Sequence, residues 1–360
     1  DDIDIATSLT TDQIKEKFKN SNFNIIDSGI KHGTITLVKD KYKLELTTLR
    51  KDIKTDGRHA EIEYTDDWLE DSNRRDFTIN AIYLDINGKI FDPQSGVDDL
   101  RKSKIKFIGD PQKRIEEDYL RIIRFIRFSI EHENETESKI SQAIKLNLNG
   151  IKKISKERIL TELFKILEIK NFLKINNNKL LKEIFSLIFP EFKFVERLDR
   201  LNIINDQINL DKEILLGILL IDETNNHEYF SHKYNTSNDL KAELNLLAKN
   251  FINFHINKKF FQNDLKKNIF YFGKKHLKKL NILNLLVDKN VRYKDYLNIS
   301  NNIEKFPLPE FPFDGKYLKK RGMKEGAKMG KTLILLQNEW VNNDFKISDQ
   351  KISKIIIDQK

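Results

Sequence analysis

Two aspartates near the start of the chain are the first residues whose type and spacing could do chemistry. Asp2 and Asp4 alternate with isoleucines, and residues two apart on a strand point to the same face. Such a carboxylate pair suits Mg²⁺, which keeps waters and a substrate phosphate in its other positions. Glu45, in a second strand-like run, could approach the same ion. Taken alone, the pattern fits carboxylates on a solvated strand face equally well.

A second group of polar residues lies in the segment RRDFTINA, residues 74–81. The guanidinium of Arg75 offers two parallel donors that match phosphate oxygens, and Asp76 or Asn80 could hydrogen-bond a ribose hydroxyl. The alternative for this segment is an ion pair that caps a helix. The residue types therefore fit nucleotide binding without requiring it.

A third group fills the arginine-rich stretch 114–128. If one helix spans it, Asp118, Arg121 and Arg124 recur at i, i+3 and i+6 along one side, while Ile123 faces the core. A carboxylate accepts hydrogen bonds and a guanidinium donates them, so such a pair could read the edge of a nucleobase. Neighbouring arginines could hold the phosphates.

Two kinds of secondary structure must position these groups. Before residue 107, β-branched runs at 34–38 and 43–49 predict strands, and Asn87-Gly88 between short apolar runs predicts a hairpin. From residue 107 onward, apolar residues recur with the 3.6-residue period of helices. Strands first and helices afterwards predict an α+β head followed by an all-α remainder, not an alternating β/α fold.

The composition narrows the possible functions. Among 360 residues, 64 Lys and Arg stand against 55 Asp and Glu, a net charge of +9 that favours a polyanionic partner such as nucleic acid. Cysteine is absent from the sequence, which excludes disulfides, thiolate metal sites and cysteine nucleophiles. No run of 18 apolar residues occurs, so no membrane span is predicted.

In this order, the three groups resemble the motifs of the class II tRNA nucleotidyltransferase and poly(A) polymerase family. DIDIAT at 2–7 resembles the metal-binding motif, RRDFTINA at 74–81 the ribose motif, and EDYLR at 117–121 the base-selecting EDxxR motif. Weaker similarity continues through Glu157-Arg158-Ile159 and through the glycines and tryptophan between residues 311 and 345. The bacterial CCA-adding branch is the most similar.

The resemblance implies template-independent, Mg²⁺-dependent addition of CCA to tRNA 3′ ends from CTP and ATP, with release of pyrophosphate, in the cytoplasm. It also implies a role for each matching residue. Asp2 and Asp4 would bind the metal, with Glu45 as a third carboxylate; Arg75 would contact the nucleotide, Asp76 and Asn80 its ribose and Arg114 its triphosphate; Asp118 and Arg121 would pair with the base, flanked by Arg124 and Arg127.

The family's organisation implies a nucleotidyltransferase head of the polymerase β type, a helical neck that recognises the nucleobase, a helical body and a helical tail that binds tRNA. These domains would span 1–106, 107–175, 176–305 and 306–360. Family members carry a glycine-rich loop upstream of the metal motif. We therefore expect a chain truncated at its N-terminus, whose activity as given is in question.

Two other functions are consistent with the same motifs. A poly(A) polymerase or an enzyme that adds only A would share them, although Gly33-Thr34-Ile35-Thr36 and Glu45 to Arg50 look more like the CCA-adding branch. A non-catalytic tRNA-binding module is the third possibility. The combined presence of Asp2, Asp4 and Arg75 argues against it, because a pure binder needs no metal ligands.

Overall fold

The chain folds into two compact units. The computed structural model describes residues 3–27, 29–56, 59–134, 136–203, 210–257 and 259–359. The first unit comprises residues 1–192 with 233–235, and the second comprises 193–232 with 236–360. The predicted site residues, apart from Asp2, which lies outside the described residues, are all in the first unit.

The strands are confined to the first third of the chain, as the sequence predicts. They are β1 (Ile3–Thr7), β2 (Asn24–Ile26), β3 (Thr34–Lys39), β4 (Tyr42–Thr48), β5 (Arg50–Asp56), β6 (His59–Tyr64), β7 (Tyr83–Leu84) and β8 (Ile90–Phe91).

Helices make up most of the remainder. In the first unit they are α1 (Thr11–Phe18), α2 (Trp68–Asn73), α3 (Gly96–Arg101), α4 (Pro111–Glu117), α5 (Leu120–Glu131), α6 (Ser138–Asn147), α7 (Lys156–Glu168) and α8 (Lys179–Ile188). In the second unit they are α9 (Lys212–Leu220), α10 (Asn226–Lys233), α11 (Asn238–Ile256), α12 (Leu265–Val287), α13 (Tyr293–Lys305), α14 (Gly315–Lys320), α15 (Ala327–Asn342) and α16 (Asp349–Gln359). Helical segments of the 3₁₀ type span Ile30–His32, Thr78–Asn80, Leu148–Lys153, Lys170–Asn177 and Val195–Ile203.

A four-stranded sheet of order β1-β4-β3-β2 forms the head. β1 runs parallel to β4 at one edge, while β2, β3 and β4 pair antiparallel. Ile35, Leu37 and Leu46 project from one face and bury Ile14 of α1 against them. Because side chains alternate along a strand, Asp4 and Glu45 lie on the opposite face.

Two further ribbons follow the sheet. β5 pairs antiparallel with β6, and the register shifts between Asp52 and Lys54, as at a β-bulge. β7 and β8 form the hairpin that Asn87-Gly88 predicts, and Gly88 takes φ 80°, which only glycine adopts without strain.

The helical part of the first unit packs onto the head through aromatic rings. α5 is amphipathic, and Ile122, Ile123 and Ile126 on its apolar face are fully buried. Phe125 of the same helix stacks on Phe107 with ring centroids 5.9 Å apart. This apolar contact holds the start of α5 in a fixed position beside the segment that carries residues 74–81.

Within the described residues, the second unit consists of helices and the loops between them, without strands. Gly273 interrupts α12 with φ 78°. Pro307, Pro309 and Pro312 lie between α13 and α14, and beyond them Leu318, Leu336 and Ile352 form a small core. None of the helices within the described residues is both long and apolar enough to cross a membrane.

Candidate active site

The carboxylates predicted to bind metal lie on adjacent strands of the head sheet. Asp4 of β1 is the in-register partner of Glu45 of β4, so both side chains project from the same face. Glu45 already accepts a hydrogen bond of 2.6 Å from Lys43. Asp2 lies outside the described residues. The structure therefore brings together two of the three predicted carboxylates.

Asp71 of α2, whose side chain is 1% exposed, anchors both arginines of the RRDFTINA segment. It accepts hydrogen bonds from Arg74 Nε (2.9 Å), Arg75 Nε (3.2 Å) and the Tyr83 hydroxyl (2.7 Å). Burial opposes its charge, but Arg74 and Tyr83 outweigh burial and lower the pKa of Asp71. Burial together with this hydrogen bond raises the pKa of Tyr83 to about 12. Asp71 therefore fixes Arg75 in place.

Asp76 joins the RRDFTINA segment to α5. Its Oδ2 accepts a hydrogen bond of 2.6 Å from Arg124 Nε, and its Oδ1 accepts one of 2.9 Å from Asn80 Nδ2. Burial opposes ionisation of Asp76, yet the charge and hydrogen bond of Arg124 lower its pKa. In turn, Asp76 outweighs the effect of burial on Arg124 and raises the pKa of that guanidinium.

Glu162 of α7 extends this network to the next arginine. Its Oε2 accepts a hydrogen bond of 2.9 Å from Arg127 Nε, and its Oε1 lies 3.7 Å from Arg124 Nη1. Arg127 also stacks on the ring of Phe128 at 4.0 Å. Burial opposes the charge of Glu162, but Arg127 and then Arg124 lower its pKa. Glu162 thus holds both arginines in a fixed orientation.

Asp118 does not lie on the helix that the sequence predicts. α4 ends at Glu117 and α5 begins at Leu120, with Asp118 in an extended conformation between them. The sequence prediction of one continuous helix is therefore wrong. The Asp118 carboxylate accepts a hydrogen bond from the Leu120 amide, and such a local bond competes with the backbone hydrogen bonds of a helix. Its other oxygen accepts a hydrogen bond of 2.6 Å from Arg158 Nη2.

Glu117 bridges the two arginines on either side of this break. It accepts hydrogen bonds from Arg114 Nη1 (2.5 Å) and Arg121 Nη1 (2.6 Å). Arg114 Nη2 also donates to the backbone oxygens of Arg74 and Arg75. Burial, and secondarily the charge of Arg121, lower the pKa of Arg114. Arg114 therefore connects α4 directly to the RRDFTINA segment.

The structure joins most of the predicted nucleotide-binding residues through a few carboxylates. The acidic partners Asp71, Glu117 and Glu162, and the basic partner Arg158, were not predicted as site residues. Glu117 could have been found, since it lies three residues after Arg114 and four before Arg121. Within the described residues, no hydrogen bond or ion pair links Asp4 or Glu45 to this network.

Such an arrangement can bind and orient a polyanion. The guanidiniums are fixed before any ligand arrives, which lowers the entropic cost of holding phosphates. Asp118 supplies acceptor oxygens, and Arg121, three residues later, supplies donors. Asp118 is anchored by Arg158 and Arg121 by Glu117. Fixed donors and acceptors of this kind can distinguish one nucleobase edge from another.

Comparison with known proteins identifies the family to which the chain is similar. Residues 1–106 match the model of the poly A polymerase head domain. A CCA-adding enzyme of Lactobacillus helveticus is 30% identical over an alignment that covers 99% of this chain and 88% of that protein. Mitochondrial CCA tRNA nucleotidyltransferase 1 of Homo sapiens is 45% identical over 170 aligned residues. This alignment covers 46% of this chain and only 39% of the human protein.

Solved structures share the fold. The CCA-adding enzyme of Bacillus stearothermophilus in complex with CTP superposes with a TM-score of 0.73 at 21% identity, covering 100% of this chain and 88% of that chain. The Thermotoga maritima CCA-adding enzyme complexed with tRNA gives a TM-score of 0.59 at 18% identity, with 100% and 87% coverage. The α+β nucleotidyltransferase head followed by helices is thereby confirmed, and the chain belongs to the CCA-adding tRNA nucleotidyltransferase family.

Proposed function

We propose that the protein adds C, C and A to the 3′ ends of tRNA from CTP and ATP, without a nucleic-acid template. The observation that carries this proposal is the hydrogen bond that Arg124, one turn beyond the base-selecting residues, donates to Asp76 of the ribose segment. This bond attaches α5, which begins beside the base-selecting residues, to the ribose segment. The Lactobacillus relative, named a CCA-adding enzyme, supports the same activity.

In this proposal, fixed side chains replace a template strand. Asp118 and Arg121 present acceptors and donors to the edge of the incoming base, while Arg75 and Arg114 neutralise its phosphates. Asp76 and Asn80 orient the ribose, and Arg124 and Arg127 complete the wall beside the base. Catalysis then comes from positioning and charge stabilisation, so no side-chain base is needed.

The carboxylate oxygens on the head sheet are of the type that binds a magnesium ion. Asp4 and Glu45 are hard oxygen ligands on one face, and Mg²⁺ usually takes only one or two protein carboxylates. No cluster of three potential metal ligands occurs in the part of the chain that the structure describes. Asp4 would hold the ion, with Asp2 and Glu45 as the other carboxylates. A bound Mg²⁺ would supply positive charge to the reacting phosphates.

The helical remainder is proposed to hold the tRNA. We assign 1–106 to the head, 107–175 to the neck, 176–305 to the body and 306–360 to the tail. The net charge of +9 supports contact with RNA phosphates. We propose a cytoplasmic location, as the resemblance to the bacterial CCA-adding branch implies.

An incorporation assay on the full-length gene product tests the proposal. Transcripts of tRNA ending at the discriminator base, at C and at CC receive labelled CTP or ATP with Mg²⁺, beside an unstructured RNA. We expect two C additions and one A, stopping there and only on tRNA. The Asp4→Asn variant, which keeps the side-chain volume, should incorporate nothing.

Other outcomes would reassign the protein. Single A addition confined to CC ends would make it an A-adding enzyme, and long A tails on either RNA would make it a poly(A) polymerase. Tight tRNA binding without incorporation by the unmodified protein would refute the catalytic proposal and leave a tRNA-binding module.

A further inference from the structure

An arginine that the motifs do not include lies against the candidate active site. Arg50 is the first residue of β5, and its backbone amide donates a hydrogen bond of 3.2 Å to Asp71 Oδ1. Asp71 is the same carboxylate that anchors Arg74 and Arg75. The start of β5 is thus attached to the residue that organises the RRDFTINA segment.

The side chain of Arg50 is mostly buried, and its Nε donor has no hydrogen-bond partner among the described residues. It is 16% exposed, and its single ion pair among the described residues is a long one, 3.8 Å from Nε to Asp52 Oδ1. Arg50 Nε and Asp52 Oδ1 are both buried without a hydrogen-bond partner within the same described part of the chain. A buried charged group without a partner costs folding free energy. A contact as long as that between Arg50 and Asp52 therefore does not indicate a stabilising ion pair.

A second guanidinium, which donates to the backbone of the RRDFTINA segment, has the same unpaired Nε. Arg114 Nε is also buried without a partner among the described residues, although its Nη groups are bonded. Burial lowers the pKa of Arg114, and the charges of Glu117, Asp76 and Asp52 only partly offset this effect. Burial, and then the charge of Arg74, lower the pKa of Arg50. Arg50 and Arg114 therefore each carry a buried Nε that has no acceptor among the described residues.

Gly33 lies next to the guanidinium of Arg50. A Cβ at Gly33 would lie 3.8 Å from Arg50 Nη1 and 3.1 Å from the Tyr64 ring, and Gly33 itself takes φ 70°. A residue other than glycine would therefore narrow the space in which this guanidinium lies. The register of β5 and β6 shifts between Asp52 and Lys54, and Arg50 and Asp52, two residues apart on the strand, lie on the same face.

We propose that Arg50, together with Arg114, binds a phosphate group of the substrate, and that Asp52 occupies the position of that phosphate when no substrate is bound. A phosphate would supply the two or three acceptor oxygens that the unpaired donors lack. The inference rests on the proposed function for the identity of the substrate. The phosphate could come from the nucleoside triphosphate or from the RNA, and binding measurements separate the two sources.

The test compares Arg50→Gln, Arg50→Lys and Asp52→Asn with unmodified full-length gene product. Arg101→Gln is the matched control, since Arg101 lies on α3 of the same unit with its side chain 76% exposed. Equilibrium binding is measured for inorganic tripolyphosphate, for CTP and for a tRNA transcript lacking CCA, the last at several salt concentrations. Thermal unfolding of each variant reports folding.

Removal of the Arg50 charge should weaken binding of the phosphate-bearing ligand about tenfold. Arg50→Lys should fall in between, because an ammonium keeps the charge but lacks the planar fork. Asp52→Asn should bind more tightly than the unmodified protein, whereas loss of a merely structural partner would not strengthen binding. If Arg50→Gln does not fold, Arg50→Lys and Asp52→Asn carry the test.

The ligand affected identifies the source of the phosphate. Weaker binding of tripolyphosphate and CTP with unchanged tRNA affinity would assign the site to the triphosphate. Weaker tRNA binding, with the salt dependence reduced by about one phosphate contact, would assign it to RNA. Unchanged binding of all three ligands by folded Arg50 variants, or weaker binding by Asp52→Asn, would overturn the inference. Binding needs no nucleotide incorporation, so failure of the proposed activity remains a separate result.

Discussion

The cations of the two units are held in different ways. In the first unit, Arg124 and Arg127 bond Asp76 and Glu162, whose side chains are 10% and 5% exposed. In the second, typical pairs such as Lys266 with Asp344 are exposed on both sides. A guanidinium fixed by a buried carboxylate presents its donors in one geometry, whereas an exposed ammonium supplies charge without direction. The first arrangement suits recognition and the second suits general attraction of a polyanion.

Burial alone does not account for the difference. Lys279 of α12 is buried and lies 3.1 Å from Asp211 and 3.2 Å from Glu243. Arg197 donates to the backbone oxygens of Ile218 and Ile221 at the end of α9. These cations of the second unit stabilise helix packing and helix ends. The networks of the first unit differ because they connect residues of separate motifs.

The largest effect is expected when the carboxylate charge of Asp76 is removed. Asp76→Asn keeps the side-chain shape but leaves Arg124 without its closest carboxylate. We expect the free energy of unfolding to fall by about 3 kcal/mol and kcat/KM for CTP to fall about 100-fold. Denaturant unfolding and incorporation kinetics measure the two changes. Asp98→Asn, an exposed acid of α3, is the control, and equal behaviour of both variants would contradict the assignment.

A smaller effect is expected at Glu162, which acts through the arginines. Glu162→Gln should lower kcat/KM for CTP about tenfold and reduce discrimination between C and A. Stability should change less than in Asp76→Asn, because Arg124 keeps Asp76 and Arg127 keeps Glu131 at 3.8 Å. Single-nucleotide incorporation with each triphosphate measures the discrimination. Glu168→Gln, on an exposed position of α7, should behave as the unmodified protein.

These positions also show how far the sequence can be interpreted. Strand runs, the Asn87-Gly88 hairpin and the change to helical periodicity all depend on neighbouring residues, and the structure confirms them. The partners Glu162 and Arg158 lie 35 and 40 residues from the groups they bond, so no local spacing indicates them. The helix break at Asp118 could not be predicted from the sequence, because the apolar residues before and after it still recur with the helical period. What the sequence could not show was which carboxylate holds which arginine.

Acid should destabilise the first unit through the same carboxylates. Folding lowers the pKa values of Asp71, Asp76 and Glu162, so these groups bind protons more weakly when folded. Their contribution is complete above the unfolded pKa values, near about 4, and is lost as the pH falls through the folded values. Unfolding free energy measured between pH 6 and about 2.5 should therefore decrease on acidification. Asp76→Asn should show a shallower decrease, and an identical pH profile would contradict the assignment.

The smallest effect is expected on the lysine surface of the second unit. Lys278 of α12 pairs with Glu304, and both side chains are exposed, so Lys278→Gln should leave the thermal midpoint almost unchanged. If this surface attracts tRNA phosphates, the variant should bind tRNA a few-fold more weakly, and the logarithmic salt dependence should fall by about one phosphate contact. Glu304→Gln should shift tRNA affinity in the opposite direction, because it frees the ammonium. Sequence-independent loss of affinity would agree with undirected attraction, whereas a change in the choice between C and A would show that the two units divide the work differently.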